Sequence, residues 1–269
     1  MLKLLPVFSL PVFILSITAC KKNQTPTPTN APRPVVIERN ALGVLIRSNI
    51  SYHTDGNPKT ITDSSFTNDS LNETRVYRFF YNNDRKVNYV AIEAFSPSGE
   101  RHLFEQKDFN WKDGVLQSIR QSNGETEHFT YNAQGKITEI LRTSKDNAPY
   151  WRETYAYNEQ GNYNEERTYH INQGVEQLFS VLTYRDFDQK QNVYALIPYY
   201  EHLVSIPAQR NNAKTTHYTL DFDQDGTLEK DELVSSTFKF FYDVQGLPIS
   251  WIQFDQNYMH TFTAKYQTP

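Results

Sequence analysis

Glu127-His128-Phe129-Thr130-Tyr131-Asn132-Ala133-Gln134-Gly135-Lys136-Ile137-Thr138-Glu139-Ile140 contains a whole β-hairpin. Two strand-like runs, each mixing apolar and polar residues, flank a short polar break. Asn132 can hydrogen-bond its own backbone to start a turn, and Gly135 supplies the positive φ that closes it.

The pattern is not unique to this stretch. An aromatic, usually followed by Asn or Asp, with Gly four residues after the aromatic, also occurs as Tyr52-His53-Thr54-Asp55-Gly56 and Tyr157-Asn158-Glu159-Gln160-Gly161. It recurs as Phe222-Asp223-Gln224-Asp225-Gly226 and Tyr242-Asp243-Val244-Gln245-Gly246. Degenerate copies stand at Tyr81-Asn82-Asn83-Asp84-Arg85, Trp111-Lys112-Asp113-Gly114 and Phe187-Asp188-Gln189-Lys190-Gln191. Successive starts lie 20 to 35 residues apart, room for a strand pair and its connection. Pro58 and Pro248 sit early in outgoing strands, where a missing donor is tolerated.

Composition agrees with a sheet. The chain holds 18 Tyr, 17 Phe and 3 Trp against 10 Gly and 2 Met, and aromatic residues suit a pleated, half-buried surface. The reading is all-β and antiparallel, a meander of successive hairpins with little helix. Tyr194 to Val204 is the one helical patch, limited by Pro198 to a turn or two. The pattern does not decide whether the sheet is open or closed, and open edges would invite a dimer.

Units such as Tyr131 to Ile137 and Tyr242 to Pro248 resemble the YD repeats of Rhs-type proteins, and more closely a large group of repeat-bearing bacterial envelope lipoproteins. Phe187 to Asn192, with Asn211-Asn212 downstream, is similar to that group as well. The resemblance covers most of residues 45–255 through short motifs. It implies a strongly twisted antiparallel sheet and transfers no catalytic residue.

The ends are read separately from the fold. Residues 1–19 form a signal peptide: Lys3, then an apolar run from Leu4 to Ile17 that is short of the ~20 residues a membrane helix needs. Ile17-Thr18-Ala19-Cys20 resembles a lipobox, and Cys20 is the only cysteine. Cleavage before Cys20 and lipidation of its thiol are therefore expected. Residues 20–34 read as a disordered lipidated tether, and residues 35–269 as one β repeat domain. Lys21, in place of the Asp that holds such lipoproteins in the inner membrane, favours by resemblance the outer membrane, facing the periplasm. A net charge of -4 without a large basic block argues against nucleic acid.

One stretch carries ligand chemistry. Asp221 to Glu232 matches a twelve-residue calcium loop, with Asp221, Asp223, Asp225 and Glu232 as carboxylates and Gly226 at the sharp turn. Thr227 would give its carbonyl, and Glu229 would act directly or through water. Thr215 to Leu220 and Val234 to Tyr242 read as strands, so Ca2+ would sit in a loop between strands, in a structural role, rather than in a helix-loop-helix. The competing reading is a solvated acidic hairpin tip.

The histidines at 53, 102, 128, 170, 202, 217 and 260 are scattered, and are read as exposed strand or loop residues. No phosphate loop and no Gly-x-Ser-x-Gly elbow occurs. An enzyme is unsupported, although paired carboxylates are defined in space and not in sequence. The leading expectation is a non-enzymatic, membrane-anchored binding or scaffold domain. Its partners would be the membrane, through lipid on Cys20, and a glycan or envelope protein. An exposed row with Tyr199, Tyr200 or Trp251 would support ligand binding. The alternative is an envelope glycan- or lipid-acting hydrolase, which requires a deep pocket with facing carboxylates. A toxin-fragment reading is weaker, for lack of an effector domain.

Overall fold

A computed structural model describes residues 32–204, 206–207, 209–221, 233–255 and 258–267. The first strands are β1 (Arg33–Ala41), β2 (Val44–Tyr52), β3 (Pro58–Thr67), β4 (Ser70–Tyr81), β5 (Val87–Phe95) and β6 (Arg101–Lys112). They are followed by β7 (Val115–Gln121), β8 (Thr126–Tyr131), β9 (Ile137–Thr143), β10 (Pro149–Tyr157), β11 (Tyr163–Asn172) and β12 (Val175–Arg185). The last are β13 (Thr215–Leu220), β14 (Leu233–Tyr242), β15 (Pro248–Phe254) and β16 (Met259–Gln267). Each strand pairs with its sequence neighbours, and β1 pairs antiparallel with β16, so the meander closes into a barrel. Closure leaves no edge strand, which removes the motive for edge-to-edge dimerisation. The first strand begins at Arg33, inside the segment read as tether.

The hairpin unit works as its chemistry requires. Asn132 Oδ1 accepts from the backbone N–H of Gln134 at 3.1 Å and of Lys136 at 3.0 Å, and Gly135 takes φ 75°. The register shifts immediately before Tyr52, Tyr81, Trp111, Tyr131, Tyr157 and Tyr242, so a bulge precedes each aromatic. Bulges increase local twist and re-aim a side chain. The re-aimed aromatics reach back one unit: Tyr52 donates to the Pro34 carbonyl at 2.8 Å, Trp111 to Val87 at 2.7 Å and Tyr157 to Ile137 at 2.7 Å. Tyr266 donates to Pro248 at 2.9 Å. These aromatics cluster at one end of the barrel, here the aromatic end, where β1 starts and β16 stops.

Side chains alternate between faces along a strand. Register places Ile50 opposite Ile61, Phe79 opposite Val90, Phe129 opposite Ile140, Phe240 opposite Trp251 and Trp251 opposite Phe262. All of these except Phe240 are buried, so the apolar face lines the lumen. The opposite parity is mixed, with ion pairs standing among exposed side chains such as Phe80, Phe104 and Phe241. Glu38 pairs with Arg47 at 2.6 Å, and Glu93 with Arg78 and Arg101 at 3.1 and 3.0 Å, on the outside.

A sixteen-strand barrel is too wide for wall side chains to fill. Here the chain between β12 and β13 enters the lumen at the aromatic end. It forms a 3-10 turn at Tyr194–Leu196 and a helix, α1 (Tyr200–Val204), a short and interrupted helical patch as the sequence suggests. Val193, Ile197 and Leu203 join the core, and Lys107 Nζ donates to the Leu203 carbonyl at 3.0 Å. This plug also replaces a missing hairpin: Gln209 Nε2 donates to the Tyr163 carbonyl at 2.7 Å, as an aromatic does elsewhere.

Candidate functional site

Beyond the plug, toward the end opposite the aromatics, the inward-facing positions change from apolar to charged. The sequence Trp151-x-Glu153-x-Tyr155 lies on a single inner face of β10. Glu153 Oε1 accepts from Trp151 Nε1 and from Arg142 Nη1, both at 2.7 Å, and Oε2 accepts from the Tyr155 hydroxyl at 2.9 Å. Arg142 also reaches Glu127 Oε1 at 3.4 Å. Burial, reinforced by the nearby Glu153 charge, pushes the Glu166 carboxyl up to about 7, with Arg142 opposing. One guanidinium therefore bonds two buried carboxylates, while a third, Glu166, takes a proton near neutrality.

At the outer edge of this group, His170 stacks on Phe179 with ring centres 4.3 Å apart, and Trp151 lies 4.6 Å from His170. The three rings are only half-buried, so they form an aromatic lip on the polar cup. Across the lumen, Asp63 of β3 faces Arg75 of β4. Burial raises the Asp63 carboxyl, and the Ser48 hydroxyl and Arg75 oppose that rise. The floor is the plug, where Tyr194 and Tyr200 stack at 5.0 Å.

Most residues expected to bind are placed elsewhere or lie outside the described residues. Cys20 and the signal peptide are outside them, as are Asp223, Asp225, Thr227, Glu229 and Glu232. Asp221 is described: it is 2 % exposed and its backbone N–H bonds to the Phe179 carbonyl at 2.9 Å. The residues that follow it stand in the chain between β13 and β14, which are both strands as expected. Among the described residues no group of three or more His, Cys, Asp or Glu is placed to hold a metal. Trp251 is 5 % exposed in the lumen, and Tyr199 and Tyr200 pack against the core, so they form no exposed aromatic row. His202 and His260 are also buried, contrary to the exposed reading, because they point inward from α1 and β16. The carboxylates of the cup had one sequence signal, strand parity: Glu153 shares a face with Tyr155, and Glu127 with Phe129.

Ser236, Asp255 and His260 come together, but the order is wrong for a nucleophile. The Ser236 hydroxyl donates to Asp255, not to the imidazole, and His260 Nε2 is 3.1 Å from the other Asp255 oxygen. A hydroxyl bonded to a carboxylate lacks the imidazole base that would take its proton.

A search of family models gives no match, and no curated protein matches. Among solved structures, a porin-like protein from Bacteroides uniformis is similar over 87% of this chain and 98% of its own, at 14% identity and TM-score 0.56. A porin-like protein from Bacteroides vulgatus matches 89% of this chain and 100% of its own, at 9% identity and TM-score 0.40. A TcdB2-TccC3 structure matches 80% of this chain and 10% of its own, at 13% identity and TM-score 0.30. The first of these likenesses shows that the closed barrel is a known fold.

Proposed function

We propose that this chain is a lipid-anchored envelope lipoprotein whose plugged barrel is a non-enzymatic binding module, with the polar cup as its ligand site. The observation that carries the reading is the set of ion-paired arginines on the outer face of the barrel. Membrane barrels need an apolar outer band about 25 Å tall, and an Arg at mid-bilayer costs ~2–4 kcal/mol. Arg47, Arg78, Arg152 and Arg167 all stand on the outer face of strands, each within 3.5 Å of a carboxylate. Such a surface belongs in water, and Cys20 would then supply membrane attachment. The outer membrane, on its periplasmic side, is the proposed site. The porin-like fold of the Bacteroides neighbours fits an envelope setting.

A cup with aromatic rings at its lip and fixed carboxylates and guanidinium in its wall suits a glycan, whose ring faces stack and whose hydroxyls hydrogen-bond. Glycan-array binding by the mature chain and by Trp151→Ala, with melting curves for both, tests this. Glycan retention that is lost in the folded variant supports the cup; retention unaffected by Trp151→Ala removes it.

One observation favours a second reading, an envelope glycan- or lipid-acting hydrolase. Glu166, its carboxyl pushed up to about 7, stands near a second carboxyl, Glu153, and such a pair could serve as a general acid with its partner. Against it, both Glu153 oxygens are already occupied by Trp151, Arg142 and Tyr155. Hydrolysis of envelope glycans abolished by Glu166→Gln would establish the enzyme and displace the binding module.

A further inference from the structure

Asp255 follows β15, and His260 is the second residue of β16. Asp255 Oδ1 accepts from Gln253 Nε2 at 2.9 Å and from the Ser236 hydroxyl, while Oδ2 lies 3.1 Å from His260 Nε2. A carboxylate can only accept, so Nε2 carries the hydrogen and, in the neutral ring, Nδ1 carries the lone pair. His260 is 7 % exposed and its Nδ1 has no hydrogen-bond partner. The wall thus fixes one tautomer and leaves its acceptor unused.

Two residues along the same inner face, Phe262 stands opposite Arg39 of β1. Arg39 and His260 are therefore diagonal neighbours, with backbones about 7–8 Å apart in an antiparallel ladder. The Arg39 guanidinium lies 5.8 Å from the centre of the Phe262 ring. Although Arg39 shares the lumen face it is exposed, so solvent reaches it. The adjacent Glu38 points outward and pairs with Arg47, and among the described residues no salt bridge ties Arg39 to a carboxylate. A solvated guanidinium thus sits beside an enclosed imidazole acceptor.

We infer that Arg39 and His260 form a subsite for a hydroxylated carboxylate, of which an acidic sugar is the fitting class. The ligand carboxylate would accept two parallel hydrogen bonds from the Arg39 guanidinium, and a ligand hydroxyl would donate to His260 Nδ1. Asp255, through the other ring nitrogen, is a positioning residue. The inference rests on the reading of the lumen as a binding cup, and it names which wall carries the acidic group. A neutral sugar satisfies His260 alone, and a simple carboxylate satisfies Arg39 alone.

The test is calorimetric titration of the mature chain in detergent with glucuronic acid, glucose and acetate. Glucuronic acid is expected to bind at least about tenfold more tightly than either of the others. Arg39→Gln and His260→Phe are each expected to remove that preference. Should His260→Phe fail to fold, the 15N resonance of His260 Nδ1 in the unmutated protein gives the same answer, because accepting a hydrogen bond shifts it. No binding of glucuronic acid, or binding that leaves that resonance unmoved, overturns the subsite. Binding lost only in Trp151→Ala overturns the subsite and leaves the cup standing.

Discussion

The Tyr81 hydroxyl donates a 2.6 Å hydrogen bond to the carbonyl of Pro58, which opens a strand in the preceding hairpin unit. Pro58 is fully buried, so water cannot replace that donor. Burial also raises the Tyr81 hydroxyl far above its ordinary pKa, so it stays a donor at every physiological pH. With Tyr52, Trp111, Tyr157 and Tyr266 it makes a ring of latches from each unit to the one before. Tyr81→Phe keeps the ring and orphans the carbonyl, at a cost of ~1–2 kcal/mol. For a barrel of this size that lowers Tm by about 3–6 °C. Tyr258→Phe, at a 57 % exposed position, should leave Tm unchanged.

The latch explains how much of the fold could be read in the sequence. The aromatic, the Asn or Asp and the Gly act within a few residues, so each hairpin is visible locally. Closure is not, because the pairing of β1 with β16 joins residues at opposite ends of the chain. The plug was hidden too. Asp188 still starts a turn, accepting from the Lys190 N–H at 2.9 Å, and Gln191 stands where Gly would be. Lack of Gly is not a sufficient cause, since Arg85 adopts φ 59° at the equivalent place and its hairpin forms. What differs is the apolar run from Val193 to Leu203, which only a wide lumen can bury. The Phe222 copy lies outside the described residues; β13, which precedes it in the chain, ends opposite the aromatic end. The cup residues were legible only as parity, because most of their partners come from neighbouring strands.

Glu166 makes stability fall as pH rises. Its folded pKa, about 7, lies above the ordinary 4.5, so the folded state holds the extra proton between those values. The contribution is fully present below pH 4.5 and is lost as pH passes 7. Glu166→Gln should therefore stabilise the barrel at pH 8, by at most ~3 kcal/mol, and change little at pH 4. Urea unfolding at both pH values measures this, and an equal effect at both would contradict the shift.

His202 acts in the opposite direction, and locally. Its ring lies in T-shaped contact with Phe129 at 5.7 Å and Trp111 at 6.5 Å, and burial lowers its pKa against the pull of Glu201 and Glu127. A base with a depressed folded pKa contributes stability that is present above its ordinary 6.5 and lost as pH falls below it. Acidification from pH 7 to 5 should therefore speed amide hydrogen exchange in Tyr200–Val204 before it affects the strands. His202→Leu should abolish that pH dependence; exchange that accelerates equally in the variant would acquit the imidazole.

The outer ion pairs make a membrane prediction. If Cys20 alone attaches the protein, Cys20→Ser should lose incorporation of labelled palmitate and move the folded barrel to the soluble envelope fraction. A barrel that remains in the membrane after salt and carbonate washes would show that its strands, and not a lipid, hold it there.

Calcium is the remaining expectation. Of the stretch from Asp221 to Glu232 only Asp221 is described, after β13 at the polar end, with its N–H on the Phe179 carbonyl. Six carboxylates stand in this stretch, at 221, 223, 225, 229, 231 and 232, and charges so close in sequence repel one another unless a cation or solvent screens them. A bound Ca2+ would stabilise the folded state by mass action, about 2.7 kcal/mol at a hundredfold excess over Kd. Titration of the metal-stripped mature chain should then release heat, and Tm should rise with calcium concentration. Asp225→Asn with Glu232→Gln should abolish both effects while leaving the calcium-free Tm equal or higher, since two repelling charges are gone. Millimolar calcium that releases no heat and leaves melting unchanged would make the loop a solvated acidic hairpin tip.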